Sequence, residues 1–248
     1  MEREKDELVP GLLRTANSVA ITEDTGRLLA LSDGVFAFAM TLLVINLSIP
    51  SAVALNSAPY VGLPTGVAIS RYLGSETSLF ISYVVAFLVI AVWWTIHRRV
   101  FRYIRGVDAL LNWTNVAFLM FIAVTPFVTG LDGLYGSTGV TVALYSAVQC
   151  AAGMTMGLIA LHVSGKPELA HPTADRLSLE RTAQTAFLIA GIFSVAASIA
   201  QYNPTYAGYA FYAIIFVTWR SGGLTHRERP VRPRRTPAPA TTSSPGSL

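Results

Sequence analysis

The sequence predicts an all-α fold, an integral membrane bundle of six transmembrane helices with both termini cytoplasmic. Three observations predict it. The 248 residues are 52% hydrophobic and only 13% charged, where soluble domains carry about 25% charged residues. The charges fall between apolar runs of about 20 residues, the length that crosses a hydrocarbon core of roughly 30 Å. Finally, 17 of the 18 Lys and Arg residues fall on one side of the resulting topology and Arg71 alone on the other, which makes the rich side cytoplasmic. A pI near 9.4 therefore reflects topology and not nucleic-acid binding.

In chain order, residues 1–25 form a charged cytoplasmic segment. They lack the short apolar stretch and cleavage site of a removable signal peptide. Residues 26–220 form the membrane domain, with spans at about 26–49, 77–97, 110–131, 138–163, 182–201 and 205–219. Helices are required because lipid offers no partners to bare backbone N–H and C=O groups. The stretch Pro50 to Glu76, rich in Pro, Gly, Ser and Ala, reads as an outer loop with room for a short interfacial helix. Residues 221–248 are too polar and Pro-rich to pack a core and form a disordered basic tail. With Cys150 the only cysteine, an intrachain disulfide is excluded.

The first span is the informative one. Asp33 lies about 10 Å inside its start at 1.5 Å per residue, and an unpaired carboxylate there costs about 2.5–3.5 kcal/mol. It needs a partner. Arg27, six residues earlier, is too far round the helix for an ideal pair, so another helix is expected to contribute. Trp94 and His97 end the second span, and Asn115 lies early in the third. Arg27, Ser32, Asp33, Trp94, His97 and Asn115 are thus expected to share the cytoplasmic third of the bundle as a structural polar network. The opposite face carries Phe38, Leu42 and Ile45 as an apolar stripe with Thr41 beside it. Phe38 points about 140° away from Asp33 at 100° per residue.

At these residues the chain resembles the bacterial six-helix branch of the endosomal and lysosomal potassium-channel family called transmembrane protein 175. The resemblance lies in Arg27, then Leu31-Ser32-Asp33 and Thr41-Leu42-Leu43, with Trp94, His97, Asp108, Asn115 and Thr125-Pro126-Phe127 further along. It implies a homotetramer in the cell membrane whose first helices line one pore permeable to K+ and other monovalent cations, with modest K+ over Na+ selectivity. It places the constriction at Phe38, further apolar layers at Leu42 and Ile45, and a selectivity-linked residue at Thr41. It implies no cofactor or metal beyond the permeant ion, no catalytic residue, and no nucleic-acid partner. Two positions depart from the family pattern: Leu31 stands where it has Phe, and Phe38 where it usually has Ile or Leu.

Plainer readings compete at several positions. Periodicity alone makes the Phe38 stripe a packing or lipid-facing surface. Gly153-x-x-x-Gly157 marks a close helix approach, Gln149 bonds across helices, Pro126 kinks the third span, and Tyr202 and Trp219 anchor at interfaces. Thr205-Tyr206-Ala207-Gly208-Tyr209-Ala210 starts a span and is not a carbonyl filter. A secondary transporter is the main alternative, yet the halves show no convincing repeat. An enzyme would need an acidic pair or a nucleophile beside a base, and neither occurs. A family member with the channel fold that is non-conducting or differently gated is the third reading.

Overall fold

The computed structural model describes residues 24–136 and 138–203, together with Tyr206 and Ala213. Seven helices are described: α1 (Asp24–Asn46), α2 (Ala52–Leu55), α3 (Thr65–Ser75), α4 (Thr77–Phe101), α5 (Ala109–Tyr135), α6 (Gly139–Gly165) and α7 (Arg176–Ala200). Five of them, α1 and α4 to α7, are long and apolar enough to cross a membrane. The expected sixth span at 205–219, the tail from 221 and the segment before Asp24 lie outside the described residues.

Most span boundaries fall close to expectation, with two instructive extensions. α4 continues past His97 through Arg98, Arg99, Val100 and Phe101, because cations in a last turn complement the helix C-terminus. α7 begins at Arg176 and not at Thr182: the Asp175 side chain caps it by accepting from the Leu177 N–H at 3.1 Å. Arg176 and Glu180 then pair at 2.9 Å across one turn. Charged residues that read as loop are the first turns of a helix that extends past the apolar run. The outer stretch holds two helices, not one, the four-residue α2 and the eleven-residue α3.

The core runs between α4, α5, α6 and α7, around the fully buried side chains of Trp93, Phe118, Ile122, Met156, Ile159, Ile189 and Phe193. Small residues set the α6–α7 approach. A Cβ on Gly153 would come within 2.9 Å of Ala190 Cβ and 3.0 Å of Ala186 O, and one on Gly157 within 2.6 Å of the Phe187 ring. Each glycine therefore serves close helix packing. Gln149 ties three helices together at the centre. It accepts from Trp93 Nε1 at 2.9 Å and donates to Thr125 Oγ1 at 3.2 Å.

One end of the bundle is basic, and there the α4–α5 and α6–α7 connections are clipped together. Ile104 and Ala170 form an antiparallel bridge, with Arg105 N–H donating to Leu169 O at 2.8 Å and His171 N–H to Tyr103 O at 2.7 Å. Asp108 caps α5 by accepting from Leu111 N–H at 2.8 Å and also holds Lys166 Nζ at 2.9 Å and His162 Nε2 at 2.9 Å. Burial works to raise the Asp108 carboxyl. The Leu111 amide, Lys166 and His162 outweigh it and hold the group well below the usual carboxylate range.

The Asp108 clip has a defined pH signature. A carboxyl depressed in the folded state adds stability that is complete above the ordinary carboxylate value and is lost as pH falls through the folded one. Asp108→Ala, which removes cap and charge, is expected to cost about 1 kcal/mol in detergent at neutral pH. Asp108→Asn keeps the cap and is expected to cost only a few tenths. Thermal unfolding midpoints across pH check this: the Asp108→Asn deficit should be present at neutral pH and shrink as pH falls below about 4.

Candidate functional site

α1 has two unlike faces, and the spacing of its residues produces them. Leu28, Ser32, Phe36, Ala39 and Leu43 are buried and recur at intervals of three or four, so they share one side of the helix. They pack onto α4 and α5. Phe36 sits edge-on to the His97 ring at 5.6 Å and tilted against Phe118 at 5.9 Å. Only 28% of the most apolar stretch of α1 is buried within the chain, the smallest share among the five spans. The other side has no partner from the described residues.

Two hydrogen-bonded chains hold the inward face near the basic end. In the first, Asn115 Nδ2 donates to Ser32 Oγ at 3.1 Å, and Ser32 Oγ donates to Leu28 O at 2.8 Å. Asn115 Oδ1 meets His97 Nε2 at 3.0 Å. An amide oxygen only accepts, so Nε2 is the nitrogen that carries the proton. The His97 ring is stacked on Phe101 at 4.0 Å and parallel to Phe118 at 5.7 Å. Ser32, His97 and Asn115 have no exposed surface. In the second chain, Trp94 Nε1 donates to Asp33 Oδ1 at 2.9 Å, and the Arg98 guanidinium lies 4.7 Å from the Trp94 ring.

Five of the six expected network members are thus brought together, in two pairings and not in one cluster. The partner of Asp33 does come from another helix. Arg27 is exposed and joins none of these bonds.

The stripe residues lie on the opposite side. Phe38 is 65% and Ile45 70% exposed, and Thr41 is exposed between them. Leu42 is half-buried at the edge of this face, and Leu31, 55% exposed, extends the line toward the basic end. Thr41, not Leu42, is therefore the middle of the outward face. The Thr41 hydroxyl donates to Phe38 O at 2.8 Å, which commits its proton to the backbone and leaves oxygen lone pairs facing outward. Among the described residues no three His, Cys, Asp or Glu side chains gather to hold a metal ion.

Sequence reasoning missed Asn46. Its Nδ2 donates to Pro126 O at 2.8 Å. The available signal was an amide in an otherwise apolar run, four turns beyond Ser32 and on the same side of the helix. It also passed over His162 and Lys166 as partners of Asp108.

Comparisons with known proteins bear on the same helices. The family model described as "Endosomal/lysosomal potassium channel TMEM175" matches residues 27–126. The chain is 33% identical over 156 residues to a potassium channel of Streptomyces collinus, covering 61% of this chain and 70% of that one. It is 27% identical over 202 residues to a potassium channel of Chamaesiphon minutus, covering 80% and 95%. In fold it is similar to the crystal structure of a lysosomal potassium-selective channel TMEM175 homolog from Chamaesiphon minutus. The TM-score is 0.68 at 24% identity, with 80% of this chain and 98% of that chain covered.

The two pairings on α1 should differ in weight. Asn115→Leu strands the His97 N–H and the Ser32 oxygen in a dry core and is expected to cost about 1–3 kcal/mol. Trp94→Phe removes one hydrogen bond from a half-buried carboxylate and is expected to cost less, roughly 0.6 kcal/mol. Thermal unfolding of the two purified variants in detergent checks the order.

Proposed function

The chain belongs to the TMEM175 family of endosomal/lysosomal potassium channels, ion channels and not enzymes, and we propose that it forms a homotetrameric, potassium-permeable pore lined by four copies of α1. The observation that carries this reading is the outward face of α1. It is a continuous apolar line with one hydroxyl, on a helix whose other face is locked to its own subunit. A helix that displays Phe38, Thr41 and Ile45 away from its bundle is suited to meeting its own copies around an axis.

In this reading Phe38 forms the narrowest layer, with Ile45 further along and Leu42 at the edge of the lining face. Four such stripes make a hydrophobic neck that conducts when wide enough to hold water and closes by dewetting when narrow. Such a neck offers no carbonyl ring to replace an ion's hydration shell, so K+ over Na+ selectivity is modest. Thr41, whose lone pairs face outward, is the group placed to contribute to it. The Ser32–Asn115–His97 and Asp33–Trp94 bonds set the angle at which α1 leaves the bundle. In this reading the chain has six spans in a plasma membrane, the location its bacterial relatives suggest, with the Lys- and Arg-rich side facing the cytoplasm.

A second reading is favoured by the size of Phe38. Four phenylalanine rings in one layer close the neck unless they fold aside, which gives a channel fold that stays shut without a gating stimulus.

Potassium flux into liposomes holding the purified protein separates these readings. Phe38→Ala is expected to raise flux several-fold by widening the neck. Unchanged flux in a folded Phe38→Ala tetramer removes Phe38 from the pore. A silent parent with a conducting Phe38→Ala variant supports the closed-neck reading. Thr41→Val is expected to lower the K+ to Na+ permeability ratio, read from the reversal potential.

A further inference from the structure

α1 is anchored at its far end as well as near the basic end, and the same helix provides both anchors. Its last turn, Leu43–Asn46, tightens from α to 3-10 geometry, a common way for a helix to close. Asn46, the last residue of this turn, is half-buried and donates from Nδ2 to Pro126 O on α5 at 2.8 Å. Pro126 has no N–H and disturbs the turn before it. One turn later, Gly130 has no side chain, and a Cβ there would lie 2.7 Å from Asn46 Oδ1 and 3.0 Å from Cγ. Pro126 and Gly130 together form a socket in α5 that fits the Asn46 amide, and an alanine at position 130 would make the amide shift from this seat. Asn115, also on α5, holds Ser32 at the other end. The two anchor points on α1 are 14 residues apart, about 21 Å at 1.5 Å per residue. Phe38, Thr41, Leu42 and Ile45 all lie between them.

We propose that Asn46, seated in the Pro126–Gly130 socket, is a positioning residue that sets how far the outer half of α1 leans toward the pore axis, so that its seat on α5 sets the width of the neck. This rests on the pore reading above for the word neck, while the anchor itself rests on the contact. A plain packing role for Asn46 would change stability alone. A positioning role changes the geometry of an assembled channel.

The test uses full-length protein with Cys150→Ser, which leaves Ser48→Cys as the single site for a nitroxide label. Ser48 is exposed and lies just past Asn46. Inter-subunit label distances are measured by pulsed electron paramagnetic resonance, and K+ flux is measured in liposomes, for the parent, Asn46→Ala, Gly130→Ala and the double variant. The expected result is that each single variant shifts or broadens the distances and changes flux several-fold in an intact tetramer. The double variant should be no worse than Asn46→Ala, because the alanine at 130 then fills an emptied socket; this non-additivity reports a shared contact. If Asn46→Ala does not assemble, Asn46→Ser is read by the same criteria. Unchanged distances and flux in an intact Asn46→Ala tetramer overturn the proposal, as does strict additivity of the two substitutions. Shifted distances with flux indifferent to both Asn46→Ala and Phe38→Ala remove the pore reading and leave the anchor in place.

Discussion

Everything distinctive about this protein depends on one constraint: a polar side chain at membrane depth must find its partner on a neighbouring helix. Ser32 and Asp33 meet that demand through Asn115 and Trp94, so the rotation of α1 about its own axis is fixed. Once Ser32 faces inward, Phe36, Ala39 and Leu43 must follow it, and Phe38, Thr41 and Ile45 must face outward. The outward face of α1 is a consequence of the inward bonds.

The remaining helices form the scaffold that makes those bonds possible. Gln149 joins α6 to Trp93 on α4 and to Thr125 on α5, and Gly153 and Gly157 let α7 approach α6 closely. At the basic end, Asp108 and the Ile104–Ala170 bridge tie the α4–α5 connection to the α6–α7 connection. α1 itself has the smallest buried share among the five spans. It is attached by a few directional contacts along one side, whereas α6 and α7 are joined by continuous packing.

Much of this was legible in the residues. The common level of Asp33, Trp94, His97 and Asn115 along the bundle followed from counting turns from the charged ends, because a helix has a fixed rise. The stripe at Phe38 and Ile45 followed from the helical period. Arg27 was less legible: near a span end an arginine reaches water by itself, so nothing compels it to join a buried bond. The first turns of α7 were hidden because Arg176, Glu180 and Arg181 resemble loop residues until their cap and pairing are seen. Leu42 lies 40° from Phe38 by the period, and only the position of α5 and α4 shows that this turns it toward the bundle edge.

By itself the sequence determined the five described spans, the basic end, the faces of α1 and the resemblance carried by Leu31-Ser32-Asp33 and Thr41-Leu42-Leu43, because these depend on order and spacing along one chain. The tertiary structure alone decided which groups pair. It placed Trp94 on Asp33, split the expected network into two chains of bonds, and put the Asn46 amide into the gap left by Pro126 and Gly130. Such pairings depend on the distance and relative rotation of helices far apart in sequence, and neither quantity is encoded in the period of any single helix.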